Sequence, residues 1–104
     1  MQSEACGWQW NAANFLRMNL EDHLGDILRM QGKADQSIPP YLKARSINEE
    51  LVQAFPGKPR YREVLALNLV NLGLAHQVSG PTEAQKNFRA AQAIYEKLVA
   101  EFPE

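Results

Sequence analysis

Leu51-Val52-Gln53-Ala54-Phe55-Pro56 returns as Leu98-Val99-Ala100-Glu101-Phe102-Pro103, forty-seven residues later. The same offset extends upstream, pairing Glu49 with Glu96, Ile47 with Ile94, Ala44 with Ala91 and the aromatic Tyr41 with Phe88. Further back the offset becomes forty-eight, so that Leu24-Gly25 matches Leu72-Gly73 and Gly32 matches Gly80. A repeat of this length is the mark of stacked helical units, each unable to bury its apolar face alone. It points to a binding scaffold rather than an enzyme.

Working outward from the echo, four helices are expected. Residues 1–8 show no clear period and are read as frayed; residues 1–10 form an N-terminal segment that can fold back as a cap. The first helix is read from about Asn11 to Met30, with Ala13, Leu16, Leu20, Leu24, Ile27 and Leu28 lining its buried face at three- and four-residue steps. Gly32 ends it in the left-handed conformation that glycine adopts most easily. The second helix is placed from near Ile38 to Ala54, because proline is tolerated only in a first turn and Pro39-Pro40 would be costly any deeper. Its apolar face is Tyr41, Ala44, Ile47, Leu51 and Phe55. The third runs from Pro59 to Val78 with Tyr61, Val64, Leu65, Leu69, Leu72 and Ala75 buried; the fourth opens at Pro81 and carries Ala84, Phe88, Ala91, Ile94, Leu98 and Phe102. No stretch alternates as a strand would, so the fold class is all-α, two antiparallel helix hairpins over 11–56 and 57–104.

The bulk numbers restrict function. The 104 residues make one domain with a modest core, and the 45% apolar and 22% charged content is that of an ordinary soluble globule. A net charge of −1 supplies no field for nucleic acid or acidic lipid. No apolar run approaches the roughly 20 residues a membrane span needs, and the first ten residues lack the pattern of a secretory signal. The single cysteine, Cys6, has no partner for an internal disulfide, which fits a reducing, cytoplasmic setting.

The spacing within each unit has a family likeness. A Leu-Gly pair is followed seven residues on by a second glycine, then by a small residue, an aromatic four positions later and an alanine three after that. These are Leu24, Gly25, Gly32, Ser37, Tyr41 and Ala44, then Leu72, Gly73, Gly80, Ala84, Phe88 and Ala91. The pattern resembles the tetratricopeptide repeat over residues 13–104. Three departures accompany it: a period of 47 against the usual 34, one residue fewer between Gly80 and Ala84 than between Gly32 and Ser37, and the Pro39-Pro40 pair. The resemblance implies a right-handed α-solenoid whose concave face is lined by the first helix of each pair. Carried over, that face comprises Asn19, Asp22, His23, Asp26, Arg29 and Met30 with Leu67, Val70, Asn71, Leu74, Gln77 and Val78. Asn71 stands where many repeats hold a peptide backbone, and His23 takes that place in the first unit. The implied ligand is a peptide or partner chain with a basic residue beside an apolar one. Lysines of the carboxylate-gripping members are missing from this face. The competing reading makes Asp22, Asp26 and Arg29 a solvated helix surface.

Other signals are weaker. Glu21, Asp22, His23 and Asp26 share a helix face in the manner of metal ligands, but no second cluster converges on them, and neither a metal nor another cofactor is expected. His76 reads as a packed residue, and Lys58, Arg60 and Arg62 as a solvated loop at a helix start. Trp8 and Trp10 read as a cap or an oligomer contact. Two units are few for a stack, so the open face of the last helix calls for a longer array or a homo-oligomer. Against the interaction scaffold stand two alternatives: a structural spacer or self-associating module, and a small metal protein or enzyme.

Overall fold

Left-handed backbone occurs at one described residue, Gly32 (φ 81°), and it closes the first helix. The Lys33 amide donates back to Leu28 O at 2.9 Å and the Gly32 amide to Arg29 O at 3.0 Å, the paired bonds that satisfy the last carbonyls of a helix ending in glycine. The computed structural model describes the backbone of residues 2–102 and the side chains of residues 12–102. It contains four helices: α1 Gln2–Met30, α2 Ala34–Ala54, α3 Pro59–His76 and α4 Pro81–Glu101. Among the described residues there is no strand, and no helix is long and apolar enough to cross a membrane. The side chains of Cys6, Trp8 and Trp10, and with them the expected cap or contact, lie outside the described residues.

Two helix starts differ from the sequence reading. α1 begins at Gln2 rather than near Asn11. α2 begins at Ala34 rather than Ile38, which places Pro39 and Pro40 inside it. The two prolines remove the amides that would have bonded Asp35 and Gln36, and both of those residues are exposed to water. The Ser37 hydroxyl donates to Ala34 O at 2.6 Å, which occupies a carbonyl of the same turn. α3 and α4 each open with proline just after the cap residue, where its missing amide costs nothing.

Contacts fix how the helices run. Gly25 meets Tyr41, and Met18 shares a cluster with Ala44, Ile47 and Leu51; position rises along α1 as it falls along α2, so the pair is antiparallel. Gly73 against Phe88 and Arg62 against Glu101 order α3 and α4 the same way. α2 also packs antiparallel on α3: the Asn68 amide donates to Tyr41 O at 3.1 Å, while Tyr61 lies with Leu51. α1 and α3 touch along one edge and run parallel, joined by Phe15 with Tyr61 (ring centroids 5.9 Å apart) and Asp22 with Asn68. The molecule is a layered slab of 49 × 30 × 20 Å.

One contact recurs in both helix pairs. A methyl group placed on Gly25 would fall 2.6 Å from Tyr41 Cε1, and one on Gly73 would run into the Phe88 ring in the same way. In each pair an aromatic ring lies flush on the glycine of the facing helix, so the backbones approach closely. The rings differ in what covers them. Tyr41 is fully buried, packed in one cluster with Ala66, Leu69, Leu72 and Ala75 of α3. Phe88 is only half-buried, because α4 has a neighbour on one side alone.

Of the expected buried faces of α2 and α3, Tyr41, Ala44, Ile47, Leu51, Tyr61, Leu69, Leu72 and Ala75 lie in the core, while Phe55, Val64 and Leu65 are half-buried at its margin. The face read for α1 is overturned. Ala13 is exposed, and Leu16, Leu20, Leu24 and Ile27 are 47–62% exposed. The side that meets α2 carries Asn14, Met18 and Gly25 instead. The periodicity located a real stripe on α1, but it points away from the rest of the molecule.

Candidate interaction surfaces

The α1–α3 edge brings together several of the residues expected to bind a ligand, and holds most of the charged ones in internal ties. Asp22 Oδ1 accepts from Asn68 Nδ2 at 2.8 Å, so one carboxylate of α1 and one amide of α3 close the seam together with Tyr41 O. Burial pushes the Asp22 carboxyl up to about 6, overriding the Asn68 hydrogen bond that lowers it; nearby Asp26 adds to the rise. The Tyr41 hydroxyl donates to Asp26 Oδ1 and accepts from Arg29 Nε at 3.1 Å. Arg29 Nη2 stands 3.7 Å from Asp26 Oδ1. Burial, with the Asp26 hydrogen bond, pushes the Tyr41 phenol up to about 12, so it stays a neutral donor. Asp26 and Arg29 thus fasten α1 to α2.

The others stand more open. His23 is exposed, with Nδ1–H donating to Asn19 O at 2.8 Å, and Asn19 is half-buried. On α3, Leu67 and Leu74 are exposed, and Asn71 is half-buried. Gln77 caps the end of α3 and is exposed, as are Met30 and Val78. The surface is consequently less acidic than its sequence suggested, since Asp22 and Asp26 already have partners. Among the described residues no three His, Cys, Asp or Glu side chains converge as metal ligands.

Sequence reasoning missed the partners of these charged groups, although a signal was there. Tyr41 has its hydroxyl where α1 supplies Asp26 and Arg29; Phe88 lacks one where the matching positions of α3 are Leu74 and Gln77. The aromatic and the residues around it change together between the units.

A second kind of surface lies at the two ends of the stack. On α4 an open groove of about 500 Å³ is lined by Val70, Phe88, Ala91, Gln92, Tyr95, Glu96 and Val99. A neighbouring one of about 480 Å³ continues it over Pro59, Glu63, Leu98 and Phe102. At the other end, α1 presents the Leu16, Leu20, Leu24 and Ile27 stripe. A recess of about 450 Å³ between the start of α2 and the end of α3 is lined by Lys33, Ala34, Asp35, Ala75, Val78 and Ser79, with the Ser79 hydroxyl donating to Asp35 at 3.3 Å.

Comparisons with protein-family models, with curated proteins and with solved structures find no match to this chain.

Proposed function

We propose that this chain is a non-catalytic protein–protein interaction scaffold of tetratricopeptide type. In this reading its two helix pairs form a short right-handed solenoid in the cytoplasm, and α1 and α3 receive an extended peptide or a partner chain. The observation that carries the reading is the recurrence of one contact, glycine under aromatic, at Gly25–Tyr41 and Gly73–Phe88. Parallel, adjacent α1 and α3 fit the same arrangement, because a ligand laid across them meets equivalent positions in register. The exposed groups there are mixed. Leu67 and Leu74 offer apolar contact, Asn71 and Gln77 offer amides, and the Asp26 side chain remains 40% exposed.

A ligand suited to that surface is an extended peptide with an apolar side chain next to a lysine or arginine. Calorimetric titration with a panel of such peptides tests it. Leu74→Ala combined with Asn71→Ala should weaken the best binder by about tenfold or more, as truncation of interface anchors does. Absence of binding across the panel, or an affinity untouched by the double substitution, overturns the proposal.

A further inference from the structure

We propose that copies of this chain stack head to tail, the α1 stripe of one copy docking into the open α4 groove of the next. The interface required is one the chain already builds once, between α2 and α3. There, α3 lays Asn68, Leu72 and Ala75 against α2, and all three are buried. Forty-eight positions earlier on α1 stand Leu20, Leu24 and Ile27, in the same relation to the glycine-bearing face and exposed. On the receiving side α2 offers Tyr41, Ala44 and Asn48, all buried, with Tyr41 clustered on Leu69, Leu72 and Ala75 of α3 and Ala44 on Tyr61. Forty-seven positions later α4 offers Phe88, Ala91 and Tyr95 along its groove. Each end of the molecule is thus a translated copy of one half of its own internal junction.

The residues at the centre of the two junctions change in step, and this identifies the occupant as a second copy. Inside the chain, Asp22 of α1 bonds Asn68 of α3 beside the Tyr41 carbonyl. The position matching Asp22 in the second unit is Val70, which lines the α4 groove. The position matching Asn68 in the first unit is Leu20, exposed at the other end. A polar pair closes the internal junction, and an apolar pair, Val70 with Leu20, is set to close the external one. An unrelated partner would need only one of these faces. Their mutual match is what a head-to-tail contact between identical chains demands. Such a contact does not close on itself, so it extends copies into longer stacks. It uses the end surfaces and does not depend on peptide binding at the α1–α3 edge.

Sedimentation equilibrium over rising concentration, with two complementary variants, tests the proposal. Leu20→Glu blocks the head and Val99→Glu blocks the tail; both side chains are largely exposed, Val99 at 68%, and circular dichroism checks that helicity is kept. Wild type should grow past a dimer as concentration rises. Each variant alone should be monomeric, and an equimolar mixture should form a one-to-one dimer and stop, because it retains one free head and one free tail. Leu16→Glu and Tyr95→Glu should reproduce the pattern. A wild type that stays monomeric overturns the proposal. So does a variant that still self-associates, which would mean like faces pair with like, or a mixture that stays monomeric.

Discussion

A hydrogen atom in place of a methyl group sets the spacing of both helix pairs. At Gly25 and Gly73 the facing ring occupies the volume a Cβ would need, so alanine cannot enter without moving an aromatic side chain. Alanine gains about 1 kcal/mol of helix propensity over glycine, while overpacking a filled site costs about 1–3 kcal/mol. The balance depends on whether the ring can give. Tyr41 is enclosed on every side and fastened through its hydroxyl to Asp26 and Arg29; Phe88 is half-exposed and has open groove beside it. Gly25→Ala is therefore expected to lose about 1–2 kcal/mol in urea denaturation, and Gly73→Ala to be near neutral. Equal losses would show that the two rings are held alike. The Asp22 carboxylate is the other residue with a measurable consequence. Its carboxyl ionises near 3.8 when unfolded and is pushed up to about 6 in the fold, so between those values the folded chain binds the extra proton. Stability from this group falls as pH rises through about 4 to 6, and the full cost is present above it. Because solvent still reaches the side chain, the effect is on the order of 1 kcal/mol. Asp22→Asn keeps an oxygen to accept from Asn68 and removes the charge. It should raise the denaturation midpoint at pH 7 and remove this part of the difference between pH 5 and pH 7. An unchanged pH dependence in the variant would show that Asp22 ionises as freely as in water.

Among the elements, α2 and α3 were the easiest to read because each is covered on two sides. Burial on both flanks gives each of them a wide core-facing stripe, Tyr41 to Leu51 and Tyr61 to Ala75, with Leu42, Leu67 and Leu74 left exposed outside it. α1 obeys the same period, but its leucines report an outward surface, and its buried side is built from Asn14, Met18 and Gly25. Periodicity shows that a helix has an apolar face; it does not show which neighbour meets it. α2 starts earlier than its prolines imply, for a different reason. Pro39 and Pro40 forfeit two amide bonds, yet Pro40 and Tyr41 are buried, and the packing of this segment holds the helix through them. For the candidate surface, the resemblance places Asp22, Asp26 and Arg29 on the first helix, and all three lie on α1. Their partners, Asn68 and Tyr41, lie up to forty-six and fifteen residues away respectively, and no local pattern names a contact of that kind. What the sequence did contain was the comparison between units, where Tyr41 becomes Phe88 as Asp26 becomes Leu74.

At the scale of the molecule, the order of layers governs how stability is distributed. A stack of repeats is stabilised by each unit's own folding and by the interfaces it shares with its neighbours. α2 lies between α1 and α3, and α3 between α2 and α4, whereas each outer helix packs mainly on one inner one. α1 has a weak second contact along the edge of α3, through Phe15 and Asp22. α4 has a bidentate ion pair to α3, Arg62 with Glu101 at 2.9 and 2.8 Å, but a pair open to water adds little to stability. Neither replaces a missing interface. Local opening should therefore begin at both ends of the stack, and the centre should open only with the whole. Native-state hydrogen exchange, measured dilute so that copies do not meet, should find the slowest amides in Tyr41–Leu51 and Ala66–Ala75. The Leu16–Ile27 stretch of α1 and Ala91–Leu98 of α4 should open about 1–3 kcal/mol more readily, in line with the graded openings of layered proteins. Uniform protection across all four helices would instead mean that the chain unfolds as one cooperative block, with its outer helices held as firmly as its inner ones.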